Sequence, residues 1–320
     1  MAALMAKQTT MQTTAPGFVH RALRHRSFMI GMIFTGTMII LALLSLIWTP
    51  HSPTEIIIAQ RLKPPSLIHW FGTDQFGRDI LSMIMAGAQT SIVVGLIAVS
   101  LGAVLGAALG LWAAARRGWT EDVIMRLSDL NMAFPVILIA ILLTAGWGPG
   151  ITNAIIALGI FNISLFARQV RAAGIAMWER EFILAARAAG KGNLAITIEH
   201  ILPNIISVIV VQATISFAVA ILAEAALSYL GVGSQPPDPS WGRMLSESQS
   251  YIFLTPIIAL WPGLAIVFSV LGLNLMGDGL RDLVDPRLAR QPGHGAHRTR
   301  CLVRARGRRY PGRGGRVRLR

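Results

Sequence analysis

Long apolar runs constrain the fold of this chain more than any other feature. Of its 320 residues, 53% are hydrophobic and only 14% are charged. A run of about 18 or more apolar residues can cross a membrane, because roughly 20 helical residues span a hydrocarbon core of about 30 Å. The sequence therefore predicts an all-α, polytopic membrane helix bundle. Its six expected transmembrane helices cover residues 28–49, 88–114, 123–146, 151–172, 204–230 and 252–277.

Basic residues are distributed unevenly between the loops, and this distribution predicts the orientation. Cytoplasmic loops of membrane proteins carry an excess of Lys and Arg. Here these residues concentrate before the first apolar run, after the second, between the fourth and fifth, and after the sixth. Both termini are therefore expected on the cytoplasmic side. The first run, Phe28–Trp48, exceeds the roughly 7–15 apolar residues of a leader peptide and is interpreted as a retained anchor.

The orientation divides the chain into consecutive expected parts. A cytoplasmic tail covers residues 1–27, and the first transmembrane helix leads into an extracytoplasmic segment at 50–86. A core domain at 87–280 contains the remaining transmembrane helices and a cytoplasmic loop at 173–203. A cytoplasmic end at 281–320 becomes rich in arginine near its start.

The arginine-rich end carries most of the chain's excess charge. Residues 291–320 contain ten of the 29 basic residues and no acidic residue, and without them 19 basic residues face 15 acidic ones. Blocks of like charge are usually disordered. Because these residues show no apolar periodicity, we expect a disordered end or a reading-frame irregularity, not a module that binds nucleic acid. The only cysteine, Cys301, lies here, so no disulfide is predicted in the body of the chain.

The cytoplasmic loop contains a short alanine-rich run that ends at a glycine. Alanine has the highest helix propensity, and its small side chain lets another backbone approach closely. Gly190 suits the position just past the end of a helix. Taken alone, this segment is either an amphipathic linker between two membrane helices or a contact surface for a partner. The candidate contact residues are Glu179, Glu181, Ala185, Ala186, Arg187, Gly190, Leu202 and Pro203.

The extracytoplasmic segment contains a tight motif, Gly-Thr-Asp-x-x-Gly-Arg-Asp, directly before the second apolar run. Its glycines favour turns, and its polar residues lead into an amphipathic helix. Two separated aspartates without further ligands are weak evidence for a metal site, so neither a metal nor a catalytic site is predicted. The candidate residues for docking a partner or forming a gate are Gly72, Thr73, Asp74, Gly77, Arg78 and Asp79, with Trp241 from the last external loop.

Polar and small residues inside the apolar runs suggest further roles. Glu224 lies inside the fifth run, where an acidic side chain is costly and is a functional candidate. It either pairs with a neighbour such as Arg243 or lines a transport path. Gly102, Gly106 and Gly110 share one face of the second helix, and small residues at this spacing let membrane helices pack backbone to backbone. We expect them to pack within this chain's own bundle.

Several enzyme classes are excluded by their motifs. A phosphate-binding loop needs Gly, four residues, and then Gly-Lys-Ser/Thr, whereas Gly190-Lys191 is followed by Gly192 and preceded at position 185 by Ala. The chain also contains neither a zinc-peptidase helix nor the nucleophile elbow of a hydrolase. We therefore predict neither an enzyme nor a cofactor site. An ion-coupled secondary transporter is an alternative, with Glu224 as its candidate coupling acid.

Together these motifs resemble the dipeptide and oligopeptide permease subunits of ATP-binding-cassette (ABC) importers, most closely the C type. The family pattern in the cytoplasmic loop is Glu-Ala-Ala, three residues, Gly, nine residues, Ile, any residue, Leu-Pro. This chain matches it at both alanines, the glycine and Leu-Pro, but has Leu184 in place of Glu and His200 in place of Ile. The external motif, Gln-Pro-Pro at 235–237, Trp-Gly at 241–242 and a glycine-rich cluster at 277–282, which is expected to end the last helix, follow in the family's order. The resemblance covers residues from about 28 to 288.

The resemblance implies a type I importer permease fold in the bacterial cytoplasmic membrane, surrounded by lipid. The chain would form half of a pore for short peptides and would work by alternating access. Its partners would be a second permease subunit of the B type, two ATPase subunits that bind ATP and magnesium, and an extracytoplasmic binding protein that delivers the peptide. The alanine-rich helix would contact the ATPases. Nickel and glutathione permeases share these motifs, so a related importer is the nearest alternative.

Truncation after Arg290 is expected to leave membrane insertion, assembly and transport near normal, because the removed residues have no apolar face to bury. The membrane yield and transport rate of the truncated chain, measured beside those of the full chain, test this expectation. A severe loss of assembly would instead identify the end as a partner-binding or membrane-surface element.

Overall fold

The computed structural model describes residues 22–284, and the fold over this range is helical, without an extended strand. The predicted all-α bundle is therefore confirmed. The expectation for the arginine-rich end at 291–320 falls outside the described residues, as does most of the N-terminal tail. The helices are α1 (Arg26–Ser45), α2 (Ile80–Leu101), α3 (Ala107–Ala115), α4 (Trp119–Ala133), α5 (Val136–Trp147), α6 (Ile151–Trp178), α7 (Glu181–Ala188), α8 (Asn193–Ile196), α9 (Leu202–Tyr229), α10 (Trp241–Ser248) and α11 (Ile257–Val284).

Two of the membrane spans are longer than the sequence predicts, and each contains a π-helical turn that joins neighbouring helices. The segment Gly102–Gly106 connects α2 to α3 in one run, Ile80–Ala115, and Thr197–Ile201 connects α8 to α9 in another, Asn193–Tyr229. With α1, α6 and α11, five helices in the described range are long and apolar enough to cross a membrane. The predicted number of six is reached only when α4 and α5 count as one broken span.

The expected single span at 123–146 is broken in two, because α4 and α5 meet at an angle of 82°. Pro135 lies at the break, and proline has no N–H to donate to a preceding turn. Proline also disfavours the helical conformation at the residue before it, and Phe134 is extended at φ −91° and ψ 126°. The Phe-Pro pair marks this interruption in the sequence.

Close contacts between α1 and α11 hold the two ends of the described chain together. A Cβ atom on Gly31 would lie 2.4 Å from the backbone nitrogen of Met276, and one on Gly279 would lie 2.7 Å from the Cβ of Phe28. The glycine-rich cluster at 277–282 was expected to end the last helix, but α11 continues to Val284. Gly279 instead permits the close approach of α1, and Gly277 faces Thr214 of α9.

The glycine row of the second span packs on α6, as the sequence predicts. A Cβ atom on Gly102 would lie 2.4 Å from the Cβ of Asn162, one on Gly106 would lie 2.5 Å from the carbonyl oxygen of Ile163, and one on Gly110 would lie 2.6 Å from that of Ala167. Since no larger residue fits at these positions, α3 and α6 touch backbone to backbone and form one rigid unit.

Gly106→Leu is expected to destabilise the chain, because its side chain has to displace the α6 backbone and Phe166. Overpacking of this kind costs on the order of 1–3 kcal/mol. The matched control is Gly36→Leu in α1, because a Cβ atom there meets nothing within 4 Å in this chain. Thermal unfolding in detergent should show a lower midpoint for Gly106→Leu only, and equal midpoints would show that α3 and α6 are not packed this closely.

Candidate functional sites at the two membrane faces

The alanine-rich segment of the predicted cytoplasmic face forms a separate short helix, α7, between α6 and α8. Arg180 precedes it in an extended conformation, at φ −79° and ψ 142°. Glu181 lies in its first turn and Arg187 in its last, where each charge complements the helix dipole. The helix has eight residues and is therefore shorter than the segment from Glu179 to Gly190 for which the sequence predicts a helix, but it lies within that segment.

Gly190 ends this helix in the left-handed conformation, at φ +83°. The N–H of Gly190 donates to the carbonyl of Arg187 at 3.0 Å, and the N–H of Lys191 donates to the carbonyl of Ala186 at 3.2 Å. These two bonds form the Schellman motif, in which a residue with positive φ closes the last turn. A Cβ atom on Gly190 would meet nothing within 4 Å in this chain, so glycine is required here by conformation and not by space.

One buried side chain, Ile183, anchors α7 to the membrane bundle. It is fully enclosed and packs in a cluster that includes Trp178 at the end of α6 and both Ile196 and Ile201 at the start of the next span. Ala186 packs against the same cluster. Sequence reasoning missed Ile183, although its spacing of three residues from Ala186 places the two on one helix face. Ile183 therefore connects α7 to the ends of both adjoining spans.

The opposite face of α7 is exposed and largely apolar. Phe182 and Leu184 are 47% and 51% exposed, and Ala185 is also exposed. Leu184 and Arg187 line one side of a groove of about 480 Å³, whose other lining residues include Ala114, Arg117, Trp178 and Asn193. The Leu184 position, where the family pattern has Glu, thus contributes an apolar contact to this surface.

Ion pairs at the rim of the groove connect its parts. Arg117 after α3 lies 3.3 Å from Glu179, and Lys191 lies 2.5 Å from Glu199 in the π-helical turn. These side chains are about half exposed, so each pair adds little stability. Leu202 is half-buried at the start of α9, and Pro203 follows it directly after the π-helical turn.

A hydrogen-bonded turn fixes the external motif before α2. Asp74 Oδ1 accepts from the backbone N–H groups of Phe76 and Arg78, both at 2.8 Å, and its Oδ2 accepts from Arg78 Nε at 2.6 Å. Gly72 and Gly77 both have positive φ, and a Cβ atom on either would collide with a backbone carbonyl of the same segment. The motif therefore folds the segment on itself.

Arg78 also connects this turn to α10 through a carboxylate. Its guanidinium donates to Glu247 Oε2, which accepts from Gln75 Nε2 at 3.2 Å as well. The other oxygen of Glu247 accepts from Arg243 Nε at 2.6 Å. We call Asp74, Arg78, Glu247 and Arg243 the external clip. Arg243 was considered as a partner for Glu224, but it pairs with Glu247 instead.

Most candidate docking or gating residues are enclosed within this chain. Thr73, Asp74 and Asp79 are buried, and Asp79 caps α2 by accepting from the N–H of Ser82 at 2.9 Å. Trp241 is 2% exposed, and its indole N–H donates to the carbonyl of Ile84 at 2.9 Å. These buried residues support the external face, and the exposed side chains around them form its surface.

Glu224 is completely buried between α9, α2 and the residues before α10. Its carboxylate accepts from Ser91 Oγ at 3.0 Å and from Ser228 Oγ at 2.8 Å. The serine at position 91 belongs to the same small-residue face of α2 as Gly87 and Gly95. The side chain is thus enclosed by helices of its own chain.

Comparisons with known proteins agree with this architecture. The family described as binding-protein-dependent transport system inner membrane component matches residues 106–290, and the N-terminal transmembrane domain of oligopeptide transport permease C matches residues 17–65. The fold is similar to that of the MetNI methionine ABC transporter in inward-facing conformations, with a TM-score of 0.52 and 18% identity over 63% of this chain and 97% of that one.

Relatives with higher identity cover nearly the full length of both proteins. The chain is 44% identical over 265 residues to the dipeptide transport system permease protein DppC of Alkalihalophilus pseudofirmus, covering 83% of this chain and 87% of that protein. It is 44% identical over 268 residues to a putative peptide transport system permease of Brucella abortus, covering 84% and 90%. It is 41% identical over 285 residues to the glutathione transport system permease GsiD of Escherichia coli, covering 89% and 94%.

The family match and the relatives identify a multi-pass permease subunit of an ABC importer in the bacterial inner membrane, and the helical fold agrees with it. The chain belongs to the family of binding-protein-dependent transport system inner membrane components. In such importers separate ATPase subunits hydrolyse ATP, and the permease is not catalytic.

Arg78→Ala is expected to loosen the external clip, because it leaves the buried carboxylate of Asp74 and the half-buried one of Glu247 without their shared cation. Hydrogen bonds to charged groups contribute about 1.5–3 kcal/mol each, so a loss on the order of 2 kcal/mol is expected. Hydrogen exchange of residues 72–79 should speed up accordingly, with exposed Arg61→Ala as the matched control. Unchanged exchange in Arg78→Ala would show that the clip does not hold the turn.

Proposed function

We propose that this permease transports short peptides and that α7 is its coupling helix, the element through which cytoplasmic ATPase subunits drive transport. The observation that carries the proposal is the arrangement of α7, which exposes Phe182, Leu184 and Ala185 on one face and inserts Ile183 between two spans on the other. A partner that binds the exposed face would therefore displace α6 and α9 together.

The coupling step follows from rigid packing. Closure of an ATPase dimer would move α7, and because Ile183 packs against the ends of both α6 and α9, those helices would tilt with it. α6 carries α3 with it through the glycine contacts described above. Packed helices shift between discrete arrangements and do not deform gradually, which is what alternation between inward and outward access requires. A second permease subunit of the B type would form the other half of the pore, with two ATPase subunits below it and a binding protein on the external face.

Peptide cargo is supported by the relatives. Two of them are named for peptide or dipeptide transport, and a third is named for glutathione, which is itself a tripeptide. An ion-coupled carrier receives less support, because its candidate coupling acid, Glu224, is enclosed by serines of this chain and has no exposed surface.

Gly190→Leu is expected to reduce transport while the chain stays folded and inserted. A left-handed conformation costs a non-glycine residue about 1–2 kcal/mol, so on the order of a tenfold loss of coupling-competent protein is expected. The matched control is Gly192→Leu, because Gly192 is equally exposed but has φ −71°, which any residue adopts. Gly190→Asn should retain more activity, since asparagine tolerates the left-handed conformation.

The measurements are peptide uptake and ATPase activity of the assembled complex, with loaded binding protein present. Both should fall together in Gly190→Leu and in Ala185→Asp, which places a charge on the exposed face, while membrane yield is unchanged. Ala185 is preferred to Ala186 for this purpose, because Ala186 packs within the chain's own core. If Gly190→Leu and Ala185→Asp both transport like the parent, α7 is only a linker.

The cargo is tested separately by competition. Uptake of a labelled dipeptide by cells that express the complete importer should be reduced by unlabelled di- and tripeptides and not by free amino acids or Ni²⁺. Competition by Ni²⁺ alone would contradict the peptide proposal and leave the coupling role of α7 unaffected.

A further inference from the structure

We propose that His51, His69 and Asp79 form a binding site for a zinc-class divalent cation, with an open coordination position, on the external face of the permease. The three residues come from distant parts of the external segment. His51 follows α1, His69 precedes the glycine-turned motif, and Asp79 is the cap of α2. Their potential ligand atoms all lie within 4.8 Å of one another.

The donor set has the chemistry of a zinc site, and the distances between its atoms lie on either side of those in a tetrahedral site. Zinc binds imidazole nitrogen and carboxylate oxygen at about 2.0–2.2 Å, so neighbouring ligands of a tetrahedral site lie roughly 3.3–3.6 Å apart. Here His69 Nδ1 lies 3.0 Å from Asp79 Oδ1, and His51 Nδ1 lies 3.8 Å from the same oxygen. Two imidazoles and one carboxylate with a fourth, open position is the ligand set of many zinc sites that bind water or a further ligand.

The two ring nitrogens of His69 both face oxygen atoms, and this arrangement favours a cation next to Asp79. Its Nε2 lies 2.8 Å from Gln60 Oε1 and its Nδ1 faces Asp79 Oδ1, so both ring nitrogens face acceptor oxygens. A neutral imidazole carries a single N–H. When Nε2–H donates to Gln60, Nδ1 presents its lone pair to a carboxylate, and this contact becomes favourable when both atoms bind one cation beside them. A carbonyl that accepts from the second ring nitrogen is also the common support of a zinc-bound histidine.

His51 supplies the independent observation. Its Nδ1 is enclosed, and within residues 22–284 it has no hydrogen-bond partner although it points at Asp79. Its position is fixed from the backbone, because its N–H donates to Ser82 Oγ at 3.0 Å. The same hydroxyl donates to Asp79 Oδ2 at 2.7 Å, which leaves Oδ1 free to face both rings.

The surroundings suit a site that exchanges its metal. The side chain of His51 is 38% exposed, whereas those of His69 and Asp79 are 7% and 2% exposed. The cation would therefore enter past His51 and keep one position open to the extracytoplasmic side. Once bound, it would fasten residues 51, 69 and 79 together and so tie both ends of the external segment to the first turn of α2.

The test is zinc binding to the full chain, purified without a histidine tag and stripped with a chelator. The background carries His294→Ala, His297→Ala and Cys301→Ser, which removes the potential ligands of the C-terminal end. Calorimetric titration with Zn²⁺ should give one site per chain, and Co²⁺ in its place should give the intense visible absorption of a low-coordinate N/O site.

Variants separate a metal site from a hydrogen-bonded cluster. His51→Ala should weaken zinc binding about 100-fold or more, and Gln60→Leu about tenfold, which is the usual effect of losing a ligand's supporting partner. The matched control, His200→Ala on the cytoplasmic side, should bind zinc like the parent. Equal unfolding midpoints of parent and His51→Ala in chelator would show that the loss is not one of folding.

A second measurement follows the tryptic cleavage of the external segment. Zn²⁺ should slow tryptic cleavage after the exposed Arg61 in the parent and not in His51→Ala, because only the parent closes the segment around the ion. The proposal is overturned if the background chain binds no zinc at equimolar concentration, as expected when a proton alone bridges His69 and Asp79. It is also overturned if His51→Ala binds zinc as tightly as the parent. Neither outcome changes the proposed coupling role of α7.

Discussion

Backbone-to-backbone contact between helices is the constraint on which the rest of this structure depends. Lipid is as apolar as the side chains it surrounds, so membrane helices gain little by burying apolar area against each other and depend on close packing. The glycines of the second span provide that packing against α6, and Gly31 with Gly279 provides it between α1 and α11. Because a Cβ atom at these glycines would collide with the facing helix, the two helices of each pair are packed without space between them.

The two faces of the permease use different chemistry. On the external face, buried charges are matched within the chain: the external clip fastens the turn before α2 to α10, and Asp79 caps α2. On the cytoplasmic face, α7 buries little more than Ile183 and Ala186 and leaves its apolar side chains exposed. A surface of this kind is incomplete in the isolated chain, which is the arrangement expected where ATPase subunits dock.

The sequence predicted the parts of this fold that depend on local chemistry. Apolar runs located the spans, the spacing of Gly102, Gly106 and Gly110 identified a packing face, and Gly190 marked the end of α7. It could not predict features that depend on what lies opposite a residue. The helical continuation through the glycines of α11 and the pairing of Arg243 with Glu247 both depend on tertiary neighbours. The convergence of His51 and His69 on Asp79 is of the same kind, since these residues lie far apart in sequence.

Site-directed crosslinking tests the central claim, that the exposed face of α7 is gripped by an ATPase subunit. Ala185→Cys, introduced after Cys301→Ser has removed the native thiol, is treated in native membranes with a short thiol-to-amine crosslinker. If an ATPase subunit contacts α7, we expect a product that contains this chain and an ATPase subunit, and no such product from the exposed external position Asp238→Cys. An assembled complex in which Ala185→Cys reacts freely with a soluble thiol reagent and yields no product with the ATPase would contradict the account.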